Sequence, residues 1–323
     1  MKAIRFDHAG GPEVLKPADI ALPPPGAGQV RVNHAAIGVN FIDTYHRSGL
    51  YPLPLPSGLG LEAAGVVDAL GDGVSELKPD DRVGYCTGPI GAYAEANNVA
   101  ADRVVKLPDG ISDEVAAASM LKGMTAEYLL RRTFPVQRGQ TIVFHAAAGG
   151  VGLIACQWAK HLGATVIGTV GSDDKVEVAK RHGCAHVLNT HQDDWAKQVR
   201  DITGGEGVPV VYDGVGKATW NGSLDCLAVR GMMVSFGNAS GAVPAFDPAV
   251  LSAKGSLYLT RPTLFHYVRT RAELQQAADD LFAVIASGAV QISINQRFKL
   301  ADARAAHEAL HSRATTGATV LLP

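Results

Sequence analysis

Thr141-Ile142-Val143-Phe144-His145-Ala146-Ala147-Ala148-Gly149-Gly150-Val151-Gly152, followed by the mostly apolar run from Leu153 to Leu162, decides how this sequence folds. Thr141 to His145 is rich in β-branched and aromatic residues and reads as a strand, and Val151 to Leu162 reads as a helix. Between them, Ala147-x-Gly149-x-x-Gly152 is a dinucleotide-binding turn whose first glycine is replaced by alanine. Small residues are needed there because the backbone turns sharply, admits a pyrophosphate and packs helix closely on strand. The phosphates then rest on the helix N-terminus, where unpaired N–H groups and the helix dipole favour negative charge. The alternative reading is a glycine turn that only packs.

Working outward, strands and helices alternate. The expected strands are Thr165 to Val170, His186 to Asn189, Val208 to Asp213, Gly231 to Gly237 and Ser256 to Thr260. Between most of them lie helical stretches, Asp174 to His182, Trp195 to Ile202 and Trp220 to Leu227. Strand and helix in alternation imply an α/β fold with a parallel, doubly wound sheet. The first 120 or so residues have another texture, with Pro23-Pro24-Pro25-Gly26, Pro52, Pro54, Pro56, Gly58 and Gly60 between short β-like runs. Those runs are Gln29 to Ala36, Glu62 to Leu70, Asp81 to Tyr85 and Arg103 to Leu107. After Leu264 come two helical stretches, Ala272 to Ser287 and Ala301 to Ser312, and a strand, Ala318 to Leu322. That tail is too short for a third domain and is expected to pack back on the first, leaving the α/β unit as an insert. The expected segments are 1–124, 125–262 and 263–323.

The chain has 323 residues, with 29 Lys and Arg against 31 Asp and Glu, so it lacks the basic surplus that attracts nucleic acid or an anionic membrane. The apolar run around Thr141 to Ala159 is interrupted by His145, Gly149, Gly150 and Gln157 and does not read as a bilayer span. Met1 to His8 alternates polar and apolar residues without a signal-peptide core, so a cytoplasmic location is expected. Cys86, Cys156, Cys184 and Cys226 are dozens of residues apart, which suggests neither a disulfide framework nor a cysteine-rich zinc knuckle.

NAD-type sites end the second strand with an acidic residue that binds the ribose 2′-OH. Here that strand ends Gly168-Thr169-Val170-Gly171-Ser172, and Asp173, Asp174 and Lys175 follow. Without a carboxylate at the tip, and with Lys175 able to neutralise a 2′-phosphate, the reading leans to NADPH. Asp173 and Asp174 pull toward NADH, or simply cap the next helix.

Beyond the glycine turn, the chain resembles the zinc-independent quinone oxidoreductases of the medium-chain dehydrogenase/reductase superfamily. The resemblance runs from Gly10-Gly11-Pro12-Glu13-Val14-Leu15 to the last strand. It is carried best by Asn40-Phe41-Ile42-Asp43-Thr44-Tyr45, Arg47-Ser48-Gly49-Leu50-Tyr51-Pro52, His145 to Trp158, Val234-Ser235-Phe236-Gly237-Asn238, Thr260-Arg261-Pro262 and Ser312-Arg313-Ala314-Thr315. It implies a GroES-like catalytic domain built from both chain ends, a Rossmann domain between them, and a homodimer. It also implies an NADPH site: nicotinamide near Asn40, Tyr45 and Thr125, with Leu259 and Arg261 beside it, and pyrophosphate on Ala148, Gly149, Gly150 and Val151. The adenosine phosphate would meet Ser172, Lys175, Thr190 and Arg313, and Val215, Phe236, Gly237 and Ser240 would line the groove. In one departure, the family's tyrosine beside the 2′-phosphate is replaced by Thr190, followed by His191.

Zinc alcohol dehydrogenases of the same superfamily place a cysteine where Asn40 stands, a His-Glu pair near Gly60-Leu61-Glu62, and a lobe of four close cysteines. Asn40, Leu61 and scattered cysteines replace these, so no zinc is expected. Glu62, left without metal partners, reads as structural. His307-Glu308-Ala309-Leu310-His311 matches H-E-x-x-H, yet no third ligand can be assigned and the stretch reads as a solvated helix face. His182 and His186 read as surface residues.

A nicotinamide enzyme without a metal suits an electrophilic acceptor, because hydride transfer then needs only positioning and stabilisation of developing charge. Asn40 and Tyr45, helped by Tyr51 and Arg261, are the candidates for holding the acceptor. The first expectation is a quinone reductase. The alternatives are an enone or alkenal reductase, and a non-catalytic NADPH-binding protein of crystallin-like or RNA-binding type.

Overall fold

The computed structural model describes residues 1–192, 194–312 and 315–323. Two compact units are present: Met1–Lys122 with Val268–Ala286 and Ile292–Pro323, and Gly123–Tyr267 with Ser287–Gln291.

The second unit contains six strands in the spatial order Cys184–Asn189, Thr165–Val170, Thr141–Phe144, Val208–Asp213, Leu227–Ser235, Tyr258–Thr260. Every neighbouring pair is parallel. Numbered along the chain this is 3-2-1-4-5-6, the doubly wound dinucleotide-binding order. The order reverses at Thr141–Phe144, the strand that feeds the glycine turn. Its partners are apolar on both faces, as a sheet covered by helices on both sides requires, with Val143, Ile167, Val208, Val211 and Met233 in one buried cluster. Thr165–Val170, Val208–Asp213 and helix Trp195–Ile202 have the expected bounds.

In the first unit, Ile294–Lys299, Ala318–Leu322, Gln29–Val39, Glu62–Leu70, Arg82–Tyr85 and Val105–Lys106 form one sheet, with Ala96–Ala100 also paired to Gln29–Val39. Residues from both ends of the chain therefore share this sheet, Val320 opposite Gly38. The long strand was expected to end at Ala36. It continues to Val39 because Ile37 and Gly38 find partners on both sides, one strand at Glu62–Leu70 and the other almost three hundred residues on.

Among the described residues four α-helices were not anticipated, the short Ala249–Ala253 and Leu264–Tyr267 and two that bear on the site. Asp113–Tyr128 is buried nearly all round from Ala116 onward and so shows no one-sided apolar stripe, although Ser112 Oγ caps it at the Val115 N–H, 3.2 Å away. Phe41–Ser48 is short but well signalled: Asp43 reaches back to the Asn40 N–H, and Gly49 ends the helix at φ 80°. Among the described residues no helix is long and apolar enough to cross a membrane.

Candidate functional site

The glycine turn works through backbone geometry. Ala146 adopts the left-handed conformation at φ 51°, which turns strand into helix within a few residues and costs an L-residue about 1–2 kcal/mol. Gly149 precedes helix Gly150–His161, whose first i→i−4 bond runs from Leu153 N–H to Gly149 O at 2.9 Å. The N–H groups of Gly150, Val151 and Gly152 thus lie in the helix's first turn, ahead of that ladder. A Cβ on Gly152 would collide with the Ala146 carbonyl and sit 2.7 Å from Ala147 Cα, so this glycine lets the helix pack directly on the turn. Alanine at position 147 is tolerated: it is buried, with its N–H bonded to Thr169 O at 2.9 Å. These residues fit a pyrophosphate, because the turn is free of side-chain bulk and aims main-chain donors outward.

The expected cofactor residues of this unit gather at the carboxyl ends of its strands. Ala148 to Val151 follow Thr141–Phe144, Ser172 and Lys175 follow Thr165–Val170, and Thr190 follows Cys184–Asn189. Val215 follows Val208–Asp213, Phe236, Gly237 and Ser240 follow Leu227–Ser235, and Arg261 follows Tyr258–Thr260, which contains Leu259. Thr125 differs, being buried in helix Asp113–Tyr128. Arg313 lies outside the described residues.

Individual contacts hold this crest in shape. Asn189 Nδ2 donates to Asp173 Oδ1 at 2.8 Å, which turns one of the two acids to a neighbour. Ser240 Oγ donates to Val215 O at 2.8 Å and accepts the Ala218 N–H at 2.9 Å. Arg261 Nη1 donates to Ser235 O at 2.7 Å, and the Asn238 amide, turned to satisfy its neighbours, accepts from Arg261 Nη2 at 3.2 Å.

Beneath the crest is a buried network with no motif signature. Asp213 Oδ1 accepts the N–H groups of Val215 and Gly216 at 2.7 and 2.9 Å, and Oδ2 accepts the hydroxyls of Thr219 and Ser223 at 2.7 and 2.9 Å. Since Ser223 spends its proton on Asp213, its oxygen accepts from His145 Nε2 at 2.9 Å, and His145 Nδ1 accepts from Thr169 Oγ1 at 2.7 Å. Serine, histidine and aspartate are all present, but the serine stands between the other two, the reverse of a nucleophilic triad. Burial holds His145 below its usual pKa, consistent with this neutral tautomer. The only trace of this network in the sequence is an acid ending an apolar strand before Gly214-Val215-Gly216.

In the first unit Asn40 precedes the helix that carries Tyr45, and the Tyr45 and Tyr51 rings meet edge to face at 5.2 Å. Tyr51 N–H donates to Tyr45 O at 3.1 Å, so the structure brings the two tyrosines together, while Asn40 stands at the N-cap of the same helix. Behind them the H-E-x-x-H helix requires a correction. His307 is fully buried rather than solvated, while Glu308 and His311 are exposed. Its environment sets a directional chain. Arg47 can only donate, so His307 Nδ1 accepts from Arg47 Nη1 at 3.0 Å and Nε2 donates to Tyr93 Oη at 3.0 Å. Tyr93 in turn donates to Asp43 Oδ2 at 2.9 Å, which also accepts the Asn40 N–H at 2.8 Å. Burial and the Arg47 charge hold His307 down to about 3. Burial pushes Asp43 up to about 7, against the hydrogen bonds from Asn40 and Tyr93. Among the described residues no group of three or more His, Cys, Asp or Glu side chains could hold a metal ion.

Asp43 gives stability a pH signature. Its pKa in the folded state is above the unfolded value of 3.8, so the fold binds the extra proton and loses stability as pH rises toward about 7. Asp43→Asn mimics the protonated form. Relative to this variant, the wild type is expected to lose about 1.4 kcal/mol per pH unit from pH 5 to 7 and then level off. Urea unfolding of both proteins from pH 5 to 8 checks this, and a constant difference would contradict it.

Comparison with known proteins agrees with this geometry. The GroES-like domain model of alcohol dehydrogenases matches residues 26–109, and the model described as zinc-binding dehydrogenase matches 150–283. The quinone oxidoreductase of Pseudomonas aeruginosa is 56% identical over 323 residues, covering 100% of this chain and 99% of the relative. The chain belongs to the zinc-independent quinone oxidoreductases of the medium-chain superfamily. Within this family, the structure of Escherichia coli quinone oxidoreductase complexed with NADPH superposes with a TM-score of 0.99 at 51% identity, covering 100% of both chains. The 2-haloacrylate reductase of a Burkholderia species is 46% identical, covering 97% of this chain and 96% of the relative. The two-part organisation of the family, GroES-like and Rossmann, is the one present here.

Proposed function

We propose that this chain is an NADPH-dependent quinone oxidoreductase. The observation that carries the reading is the crest: a glycine turn at the switch point of a 3-2-1-4-5-6 parallel sheet, flanked by Lys175 at the second strand and by Phe236, Gly237 and Ser240 at the fifth. Family membership supports quinone as acceptor. NADPH, when bound, supplies the hydride. Main-chain donors of Ala148, Gly150 and Val151 hold its pyrophosphate beside Gly149, whose own N–H is bonded to Ala146 O at 2.9 Å, and Ser172, Lys175, Thr190 and Arg313 receive the adenosine phosphate. Val215, Phe236, Gly237 and Ser240 bound the groove, and Thr125, Leu259 and Arg261 serve the nicotinamide end. Asn40 and Tyr45, with Tyr51 and Arg261, orient the acceptor oxygen, and water supplies the proton that completes the hydroquinone.

Turnover tests this directly. Initial rates of NADPH oxidation with a naphthoquinone, compared with an α,β-unsaturated ketone and with chelator present, are expected to favour the quinone. Faster turnover of the ketone would replace the acceptor class, and tight NADPH binding without turnover of either would overturn catalysis.

Lys175 provides a sharper prediction. Its loop has no carboxylate at the strand tip, and Asp173 is engaged by Asn189. Lys175→Ala is expected to weaken NADPH by about 1–3 kcal/mol and leave NADH nearly unchanged. Equal losses in fluorescence titrations would refute the assignment.

A homodimer and a cytoplasmic location complete the proposal. Tyr258–Thr260 is an edge strand, with Tyr258 60% exposed and Val229 on the neighbouring strand 73% exposed, an open apolar edge suited to a second copy. Sedimentation of the wild type against Tyr258→Lys checks the dimer.

A further inference from the structure

Glu62 is fully buried at the start of a strand whose first residue pairs with Gly38, two residues before Asn40. The glycine makes room for it. A Cβ at position 38 would collide with Glu62 Oε2 and with the Ala117 carbonyl, and would lie 2.7 Å from Glu62 Cδ. Through this gap the carboxylate gathers three donors. Asn40 Nδ2 donates to Oε2 at 2.7 Å, the Leu121 main-chain N–H donates to Oε1 at 2.7 Å, and the buried Lys122 Nζ stands 3.4 Å from Oε2 as counter-ion.

An amide side chain presents a donor on one side and an acceptor on the other, whereas a carboxylate can only accept. We infer that Glu62 is a positioning residue that fixes which way round the Asn40 amide faces. With its nitrogen turned to Glu62, Asn40 directs its oxygen and its second N–H away from the carboxylate. A second clamp acts from behind: Asp43 Oδ2 accepts the Asn40 main-chain N–H at 2.8 Å, so backbone and side chain are held by different acids. Lys122, itself buried, places its Nζ 3.4 Å from Glu62 Oε2 as the opposite charge of the pair. This inference rests on the reading that Asn40 orients the acceptor, and it gives Glu62 a role that needs no metal.

The test uses the full-length protein and separates the clamp from that reading. In Glu62→Gln with Lys122→Met the buried charges leave together, and because the Leu121 N–H claims the new amide's oxygen, its NH2 group faces Asn40 and no longer holds the Asn40 nitrogen. The expected result is a kcat about 10- to 100-fold lower, with NADPH Kd, quinone KM and the thermal midpoint little changed. Unchanged kcat in a folded double variant, while Asn40→Ala is impaired, would overturn the inference. A second readout needs no variant at position 62. In asparagine-selective 15N spectra of the wild type, the Asn40 side-chain amide, assigned by its loss in Asn40→Ala, is expected to show one exchange-protected, downfield proton. A rapidly exchanging pair would overturn the clamp even if the double variant failed to fold. If Asn40→Ala kept full kcat, the role of Asn40 would fall, and the spectrum would still decide whether Glu62 holds it.

Discussion

Asp213→Ala is expected to destabilise the protein by about 3–5 kcal/mol, the range for removing one partner of a buried charged network. The carboxylate is fully buried and accepts two main-chain N–H groups and two hydroxyls, all within 2.9 Å. Alanine takes the carboxylate from all four donors, and the Gly216 N–H and the Thr219 and Ser223 hydroxyls lose it at buried positions. The damage reaches the cofactor crest, because Val215 and Gly216 are the turn that Asp213 shapes, and His145, which borders the glycine turn, is tied to Asp213 through Ser223. Asp213→Asn should cost less, since one oxygen still accepts two donors while the new NH2 group faces the others. Urea unfolding at pH 7 measures both, and a loss below about 1 kcal/mol for the alanine variant would show that the network contributes little.

Gly152→Val is expected to weaken NADPH and NADH alike, by about 100-fold or more, equivalent to roughly 3 kcal/mol. The added Cβ meets main chain, the Ala146 carbonyl and Ala147 Cα, which cannot swing aside as a side chain would. Helix and turn must separate, and the N–H groups of the first turn move with them. Equal loss for the two cofactors distinguishes this effect from Lys175→Ala, which acts on the 2′-phosphate alone. Gly110→Ala is the control, because a Cβ there meets nothing within 4 Å and the backbone is not left-handed. Fluorescence titration with both nucleotides decides the matter, and a valine variant binding NADPH normally would remove the turn from the site.

These two residues differ in how they could be found. Gly152 belongs to a local pattern, strand, glycine turn and helix within a dozen residues, where backbone sterics alone require small side chains. Asp213 finds its four donors within ten residues, but the network they join reaches His145 and Thr169 in two other stretches, and no motif announces it. His307 shows the same limit. In sequence it sits in an apparent zinc-protease motif on a polar helix, yet its ring is buried by Arg47 and Tyr93, which lie 260 and 214 positions away. Glu62, without metal partners, reads only as structural until the register of its strand places it against Asn40.

By itself the sequence determined the alternating strands and helices, the doubly wound class, the glycine turn and the missing strand-tip carboxylate. Each depends on residues near one another in the chain, through periodicity, backbone freedom or side-chain shape. Tertiary structure alone decided the extension of Gln29–Val39 to Val39, the orientation of the Asn40 amide, the neutral tautomers of His145 and His307, and the shared hold of Asp213 on two turns. Those features arise from partners brought together by folding. A buried polar group must satisfy its hydrogen bonds with whatever neighbours the fold supplies, and spacing along the chain does not reveal which neighbours those are.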